Sequence, residues 1–187
     1  MIDIRQQEEM LIAIGKTLQK KLFVYAIGGT AMMLRGIKNS TLDIDFVFDK
    51  ESDRKSFILA VKKLGAKDLN ATLVYGLKRD TPIMLGFENC RFDLFLNKII
   101  SSKFSEKMKT RARQIHEFGN LIVKAADLND ILIMKSATSR AKDLSDIIDI
   151  INKNFVNWDI VVDEAKEQVV LGNERAVLSL GEKLEKL

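Results

Sequence analysis

From Thr41 to Phe48 the chain alternates with a period of two: Leu42, Ile44, Phe46 and Phe48 fall on one side, Asp43, Asp45 and Val47 on the other. Successive side chains of an extended strand point to opposite faces, so this run predicts a strand with one face in an apolar core. Its other face carries two carboxylates. Residues two apart on a strand have Cα atoms about 6.5 to 7 Å apart, a gap that two aspartates close onto a shared cation by rotating about χ1. Hard divalent ions such as Mg²⁺ take carboxylate oxygens and keep open positions for phosphates and water; Mn²⁺ accepts the same donors. The competing explanation is a pair of acids that simply face solvent on a half-buried strand.

The rest of the chain suggests what surrounds that strand. Ile4, Leu11, Ile14, Leu18 and Leu22 recur at helical steps and predict an amphipathic opening helix. Leu22 to Ile27 reads as a short buried strand that stops at Gly28-Gly29, where paired glycines permit a tight turn and close approach of a ligand to the backbone. Thr30 is placed to cap an apolar helix through Leu34, and Ser52 one running to about Leu64. Ala71 to Leu77, Pro82 to Phe87 and Cys90 to Leu96 are further strand candidates, the last carrying Asp93 between Phe92 and Leu94. Leu121 to Val123 adds a short strand. From Asn129 to Ile151 an apolar stripe describes one long helix or two in succession, and Trp158 to Leu171 and Asn173 to Leu187 read as two more. A mixed sheet followed by helices is an α+β arrangement, with a core over residues 1–124 and a helical region over 125–187 packed on it.

Composition narrows the context. The 187 residues are 47% apolar and 30% charged, a globular balance sufficient for a core without covalent staples. The single cysteine, Cys90, excludes an intrachain disulfide and a cysteine-rich zinc site, and suits a reducing compartment. Met1 to Lys21 mixes charges into its apolar residues, unlike a signal peptide, and no stretch reaches the roughly 20 apolar residues that span a bilayer. The expectation is a soluble cytoplasmic protein with no membrane partner. A net charge of +4 mildly favours an anionic partner.

Gly28-Gly29-Thr30, then Asp43-Ile44-Asp45 flanked by Leu42 and Phe46, then Arg91-Phe92-Asp93-Leu94-Phe95, follow one another in an order that resembles the signature of the DNA polymerase beta-like nucleotidyltransferase superfamily. The stretch from Lys135 through Arg140, Lys142 and Asp143 to Asp146 is similar to a helix of small stand-alone prokaryotic members, including toxins of type IV toxin–antitoxin and abortive-infection systems. The resemblance implies a nucleotidyltransferase-type sheet and catalytic Mg²⁺ or Mn²⁺ on Asp43, Asp45 and Asp93. It also implies an NTP as substrate, phosphate contacts from Gly28, Gly29, Thr30, Lys135 and Arg140, and a cognate antitoxin as partner.

On that reading Asp43 and Asp45 hold the ion that binds the triphosphate, while Asp93 holds a second ion and helps deprotonate the acceptor. The acceptor stays open among RNA (tRNA included), a protein hydroxyl and a small molecule such as an antibiotic. A fold-sharing binding module without chemistry is the non-enzymatic alternative. Asp93 joins the other acids only if its strand neighbours theirs. Arg140 with Asp143, and Lys142 with Asp146, also have the spacing of ordinary helical ion pairs. Lys103, Lys107, Lys109, Arg111 and Arg113 form either a solvated basic face or, beside the metal site, a hold on acceptor phosphates. His116, the sole histidine, is expected at the surface, and Cys90 as a small buried hydrophobe.

Overall fold

Period-two alternation in the middle of the chain and helical periodicity at its ends resolve into a mixed sheet with helices on both faces. The computed structural model describes residues 1–78, 80–100, 102–138, 140–154, 156–174 and 181–182. The chain opens with β1 (Ile2–Asp3) and α1 (Ile4–Thr17), followed by β2 (Leu22–Ala26), α2 (Gly28–Leu34), β3 (Ser40–Thr41), β4 (Asp43–Phe48) and α3 (Glu51–Lys63). The middle consists of β5 (Lys67–Leu69), α4 (Ala71–Tyr75), β6 (Ile83–Phe87), β7 (Cys90–Leu96), β8 (Lys98–Ile99) and β9 (Ser102–Lys103). After α5 (Glu106–Arg111), the hairpin β10 (Gln114–Phe118) and β11 (Leu121–Ala125) leads into α6 (Leu128–Ser136), α7 (Ala141–Lys153) and α8 (Trp158–Val170).

The main path of the sheet runs β10-β11-β2-β4-β7-β6-β5. β4 lies between β2, antiparallel, and β7, parallel, and the β4–β7 register sets Asp45 directly beside Asp93 and Asp43 beside Arg91. This is the strand adjacency on which the third acid depended. Because both strands alternate in phase, their apolar residues share the opposite face. There Phe57 of α3 packs edge-on against Phe46 and Phe92, with ring centroids 5.5 and 5.8 Å apart, and also meets Phe48. Ile44, Phe46, Phe48, Phe57 and Phe92 are all fully buried, and burying one such side chain contributes about 1.5–3 kcal/mol. The aromatic layer fixes which way the acids point.

Several local expectations need correction. Ala71 to Leu77, rich in strand-favouring side chains, is a helix over Ala71–Tyr75: Asn70 accepts from the Thr72 N–H as its cap, and Gly76, at φ 63°, ends it. Neither proposed serine or threonine cap exists. Lys50 precedes α3 without a side-chain cap, and α2 begins at Gly28, two residues before Thr30. β5 and β10 were not anticipated, being short, exposed or weakly alternating. The apolar stripe after Asn129 is two helices, α6 and α7. Most of the helix expected over Asn173 to Leu187 lies outside the described residues.

Candidate active site

Asp43, Asp45 and Asp93 converge: each offers a carboxylate oxygen, and the three atoms lie within 4.8 Å of one another. Asp93 is fully buried, whereas the other two acids open onto a cavity of about 640 Å³, a size typical of small-molecule sites. Burial, then the charges of Asp43 and Asp93, pushes the Asp45 carboxyl well above the usual range. Asp93 is also raised by burial, although hydrogen bonds from Arg91 and Tyr75 pull it back. Three hard oxygens that repel one another in a half-dry pocket are the donor set a divalent cation fits.

Arg91 partly offsets that repulsion. Its Nε donates to Asp93 Oδ1 at 2.7 Å, and its Nη2 reaches Asp43 Oδ2 at 2.7 Å and Asp93 Oδ2 at 2.9 Å. The Tyr75 hydroxyl donates to the same Asp93 Oδ2; burial, and then the Asp93 charge, raises the tyrosine's pKa. Sequence reasoning assigned a role to neither side chain. Arg91 was legible, since it precedes Asp93 by two residues on one strand and so shares its face. Tyr75 was hidden by the mistaken strand, for only a helix capped at Asn70 carries it to the acids.

The glycines are required by the approach of the acids. Gly28 has φ 53°, and a Cβ there would stand 2.8 Å from Asp45 Oδ2; at Gly29 a Cβ would meet Thr41 Oγ1 at 2.6 Å. Both glycines line the cavity. Thr30 does not. It is fully buried, and its hydroxyl accepts the Asp45 backbone N–H at 2.8 Å, bracing β4 from behind instead of facing a phosphate.

α6 and α7 form the opposite wall. Lys135, expected at the triphosphate, lines the cavity but is largely buried, with its ammonium 3.0 Å from Asp143 and 2.5 Å from Asp146. Arg140 pairs with Asp143 at 2.7 Å, as its spacing predicted. Burial opposes the Asp143 charge, yet the Arg140 hydrogen bond and Lys135 hold its pKa down at about 2. Asp146 bonds Lys38 and Lys135 where Lys142 had been expected. Lys142 is exposed on the cavity wall, where its charge acts on Asp45.

The remaining candidates lie elsewhere. Lys107 binds Asp163, Lys109 binds Asp49 and Glu106, and Arg111 is locked to Asp130 and Glu164, so three members of the basic cluster serve internal ion pairs. His116 sits on β10, three strands from β4; it is half-buried, and burial lowers its pKa. Cys90 is buried and its thiol is pushed up to about 12, which makes it inert.

A mixed sheet gathers three aspartates beside a glycine turn, and those carboxylates could hold a metal ion. Over residues 2–179 the chain matches the family described as "Nucleotidyltransferase of unknown function (DUF6036)", and it belongs to that family. It is a nucleotidyltransferase. Solved structures similar to it include ANT(2'')-Ia in complex with adenylyl-2''-tobramycin, at 13% identity and a TM-score of 0.55, covering 96% of this chain and 98% of that one. The solution structure of the same antibiotic-resistance factor also has 13% identity and a TM-score of 0.55, covering 99% and 94%. JHP933 from Helicobacter pylori is 14% identical with a TM-score of 0.49, covering 97% and 90%. The likeness to the two ANT(2'')-Ia structures, at that identity, shows a shared fold. No curated protein matches the chain. Among the described residues, no helix is long and apolar enough to cross a membrane.

Proposed function

We propose that the protein transfers a nucleoside monophosphate from an NTP, ATP among them, to a hydroxyl of RNA, with release of pyrophosphate. The observation that supports this reading is the convergence of Asp43, Asp45 and Asp93 beside a cavity that Lys78, Arg140 and Lys142 also line. Asp43 and Asp45 would hold Mg²⁺ or Mn²⁺, which supplies charge neutralisation for the triphosphate and the developing oxyanion. Asp93, buried behind them, would take the acceptor's proton. The Gly28 and Gly29 backbone, Arg140 and Lys142 would hold phosphate oxygens. Lys135, already between two carboxylates, would set the position of the α6–α7 wall and add its charge at longer range.

The charge of the cavity wall supports an anionic acceptor. Arg91 and Lys135 are engaged by carboxylates, but exposed Lys78 and Lys142 line it together with Arg140, against Asp43, Asp45 and Glu182 among the described residues. A polycationic aminoglycoside, such as the tobramycin of the ANT(2'')-Ia complex, would meet like charge there. An RNA acceptor would suit a toxin role with a cognate antitoxin. The test is incubation with each α-labelled NTP and Mg²⁺ in the presence of total RNA, lysate protein or tobramycin, with Asp45→Asn as control. Label on RNA that Asp45→Asn abolishes is the expected result. Label on tobramycin would transfer the reading to antibiotic modification. Metal-dependent nucleotide binding without any transfer would reduce the protein to a binding module.

A further inference from the structure

An acceptor for this chemistry must present a hydroxyl to the pocket acid that takes its proton, beside the carboxylates that organise the triphosphate. One side chain of the protein already meets that description. The Tyr75 hydroxyl donates to Asp93 Oδ2, and the tyrosine lines the same cavity as Asp43, Asp45, Gly28 and Gly29. The supporting helix is suited to present a group and withdraw it. α4 has five residues and none is fully buried; Leu73 within it and Leu77 just after it are 84% and 97% exposed, and Gly76, at positive φ, ends the helix. Tyr75 is half-buried, and its hydroxyl is anchored by the bond to Asp93.

We propose that Tyr75 is an internal acceptor, nucleotidylated by the chain's own active site; this rests on the nucleotidyl-transfer reading above. In the step, the Tyr75 O–H proton passes to Asp93 and the phenolic oxygen bonds to the α-phosphorus of the NTP. The bond from that phosphorus to the β-phosphate's bridging oxygen breaks, and pyrophosphate leaves with the electron pair. The product is a phosphodiester on Tyr75, which removes the donor that Asp93 held and fills the acceptor position. Modification is thus limited to one nucleotide per chain and restrains transfer to other acceptors.

The experiment is intact-mass and peptide analysis of the full chain after incubation with Mg²⁺ and each NTP, alongside label transfer to total RNA and lysate. The expected result is a gain of one nucleoside monophosphate on the peptide that contains Tyr75, lost in Tyr75→Phe and in Asp45→Asn. Label on RNA or on another residue, with Tyr75 unmodified, overturns the internal acceptor and leaves nucleotidyl transfer standing. Label nowhere overturns both. A readout without nucleotide checks the contact itself: the chain has two tyrosines, and ¹³C-tyrosine NMR should show one of the two ring signals move in Asp93→Asn. Two unmoved signals would remove the hydrogen bond on which the proposal stands.

Discussion

Two arginines of this protein each join a pair of carboxylates, and the two clusters have opposite fates. Arg111 is bidentate to Asp130, at 3.0 and 2.6 Å, and also bonds Glu164; Ser105 and Gln168 donate to Glu164 at 3.0 and 2.8 Å. Both acids are fully buried, and the network ties α5, α6 and α8 together. Arg91 bridges Asp43 and Asp93 in the same manner but faces a third carboxylate, Asp45, that no ion pair reaches among the described residues. One cluster is closed by its neighbours; the other retains unbalanced charge toward a cavity. Surplus negative charge at an open cavity, and not the presence of buried ion pairs, is what separates a site from a brace.

The sharpest way to break this contrast is to remove the surplus. Asp45→Asn should lower nucleotidyl transfer by about 10³-fold or more, the scale of losing a group that organises transition-state charge. The metal-free fold should hold or gain stability, because Asn relieves repulsion from Asp43 and Asp93. Initial rates and thermal melting of the same preparation check both halves; a destabilised Asp45→Asn would make the triad a structural cluster.

Removal of the arginines comes next. Arg111→Met leaves Asp130 and Glu164 buried without their cation and should cost about 3–5 kcal/mol, whatever the metal concentration. Arg91→Met should cost less, since the cavity admits water, and Mg²⁺ should restore much of the loss by replacing the missing charge. Denaturant titration of both variants with and without Mg²⁺ measures this. Equal losses, neither rescued, would erase the distinction between the clusters.

Much of this contrast was readable in advance. Period-two alternation placed Asp43 and Asp45 on one face, and the same alternation around Asp93 anticipated its orientation, though not that β7 would neighbour β4, which is a property of long-range pairing. Gly28-Gly29 was recognisable as a close approach, but the approaching groups proved to be the chain's own Asp45 and Thr41. The strand expectation for α4 rested on Thr72, Val74 and Tyr75, which have strand propensity, and a local cap with one tertiary hydrogen bond outweighed it. Arg111 was grouped with surface lysines because helical spacing within α5 does not show that Asp130 and Glu164 close on it from elsewhere in the chain.

Protons offer a gentler probe. Asp45 and Asp93 have raised pKa values, and Asp130 is raised to about 6. A carboxyl that binds its proton more tightly when folded adds stability as pH falls through its folded pKa, with the gain complete near the unfolded value of about 3.9. Metal-free protein should therefore gain stability from pH 7 toward about 4.5, with a smaller gain in Asp45→Asn. Saturating Mg²⁺ should remove the triad's share, because the ion favours the ionised acids, and leave that of Asp130. Below about 3.9 the sign reverses at Asp143, whose contribution is present above that value and is lost as pH falls toward about 2. Melting curves across pH, with and without Mg²⁺, resolve the windows; a profile indifferent to Mg²⁺ would contradict the triad as the metal site.

The smallest effect concerns the two lysines of the α6–α7 wall, which repeat the contrast within the site. Lys135 is held between Asp143 and Asp146, so Lys135→Met leaves buried acids and should act mainly on stability. Lys142 is exposed beside Asp45, and its charge is available to a ligand. Lys142→Met should leave the melting temperature within error and raise the KM for NTP by about tenfold, equivalent to about 1.4 kcal/mol of phosphate contact. Steady-state kinetics at low and high salt checks the assignment, since a contact made in solvent weakens with ionic strength. An unchanged KM would move the triphosphate hold to Arg140 and the glycine backbone.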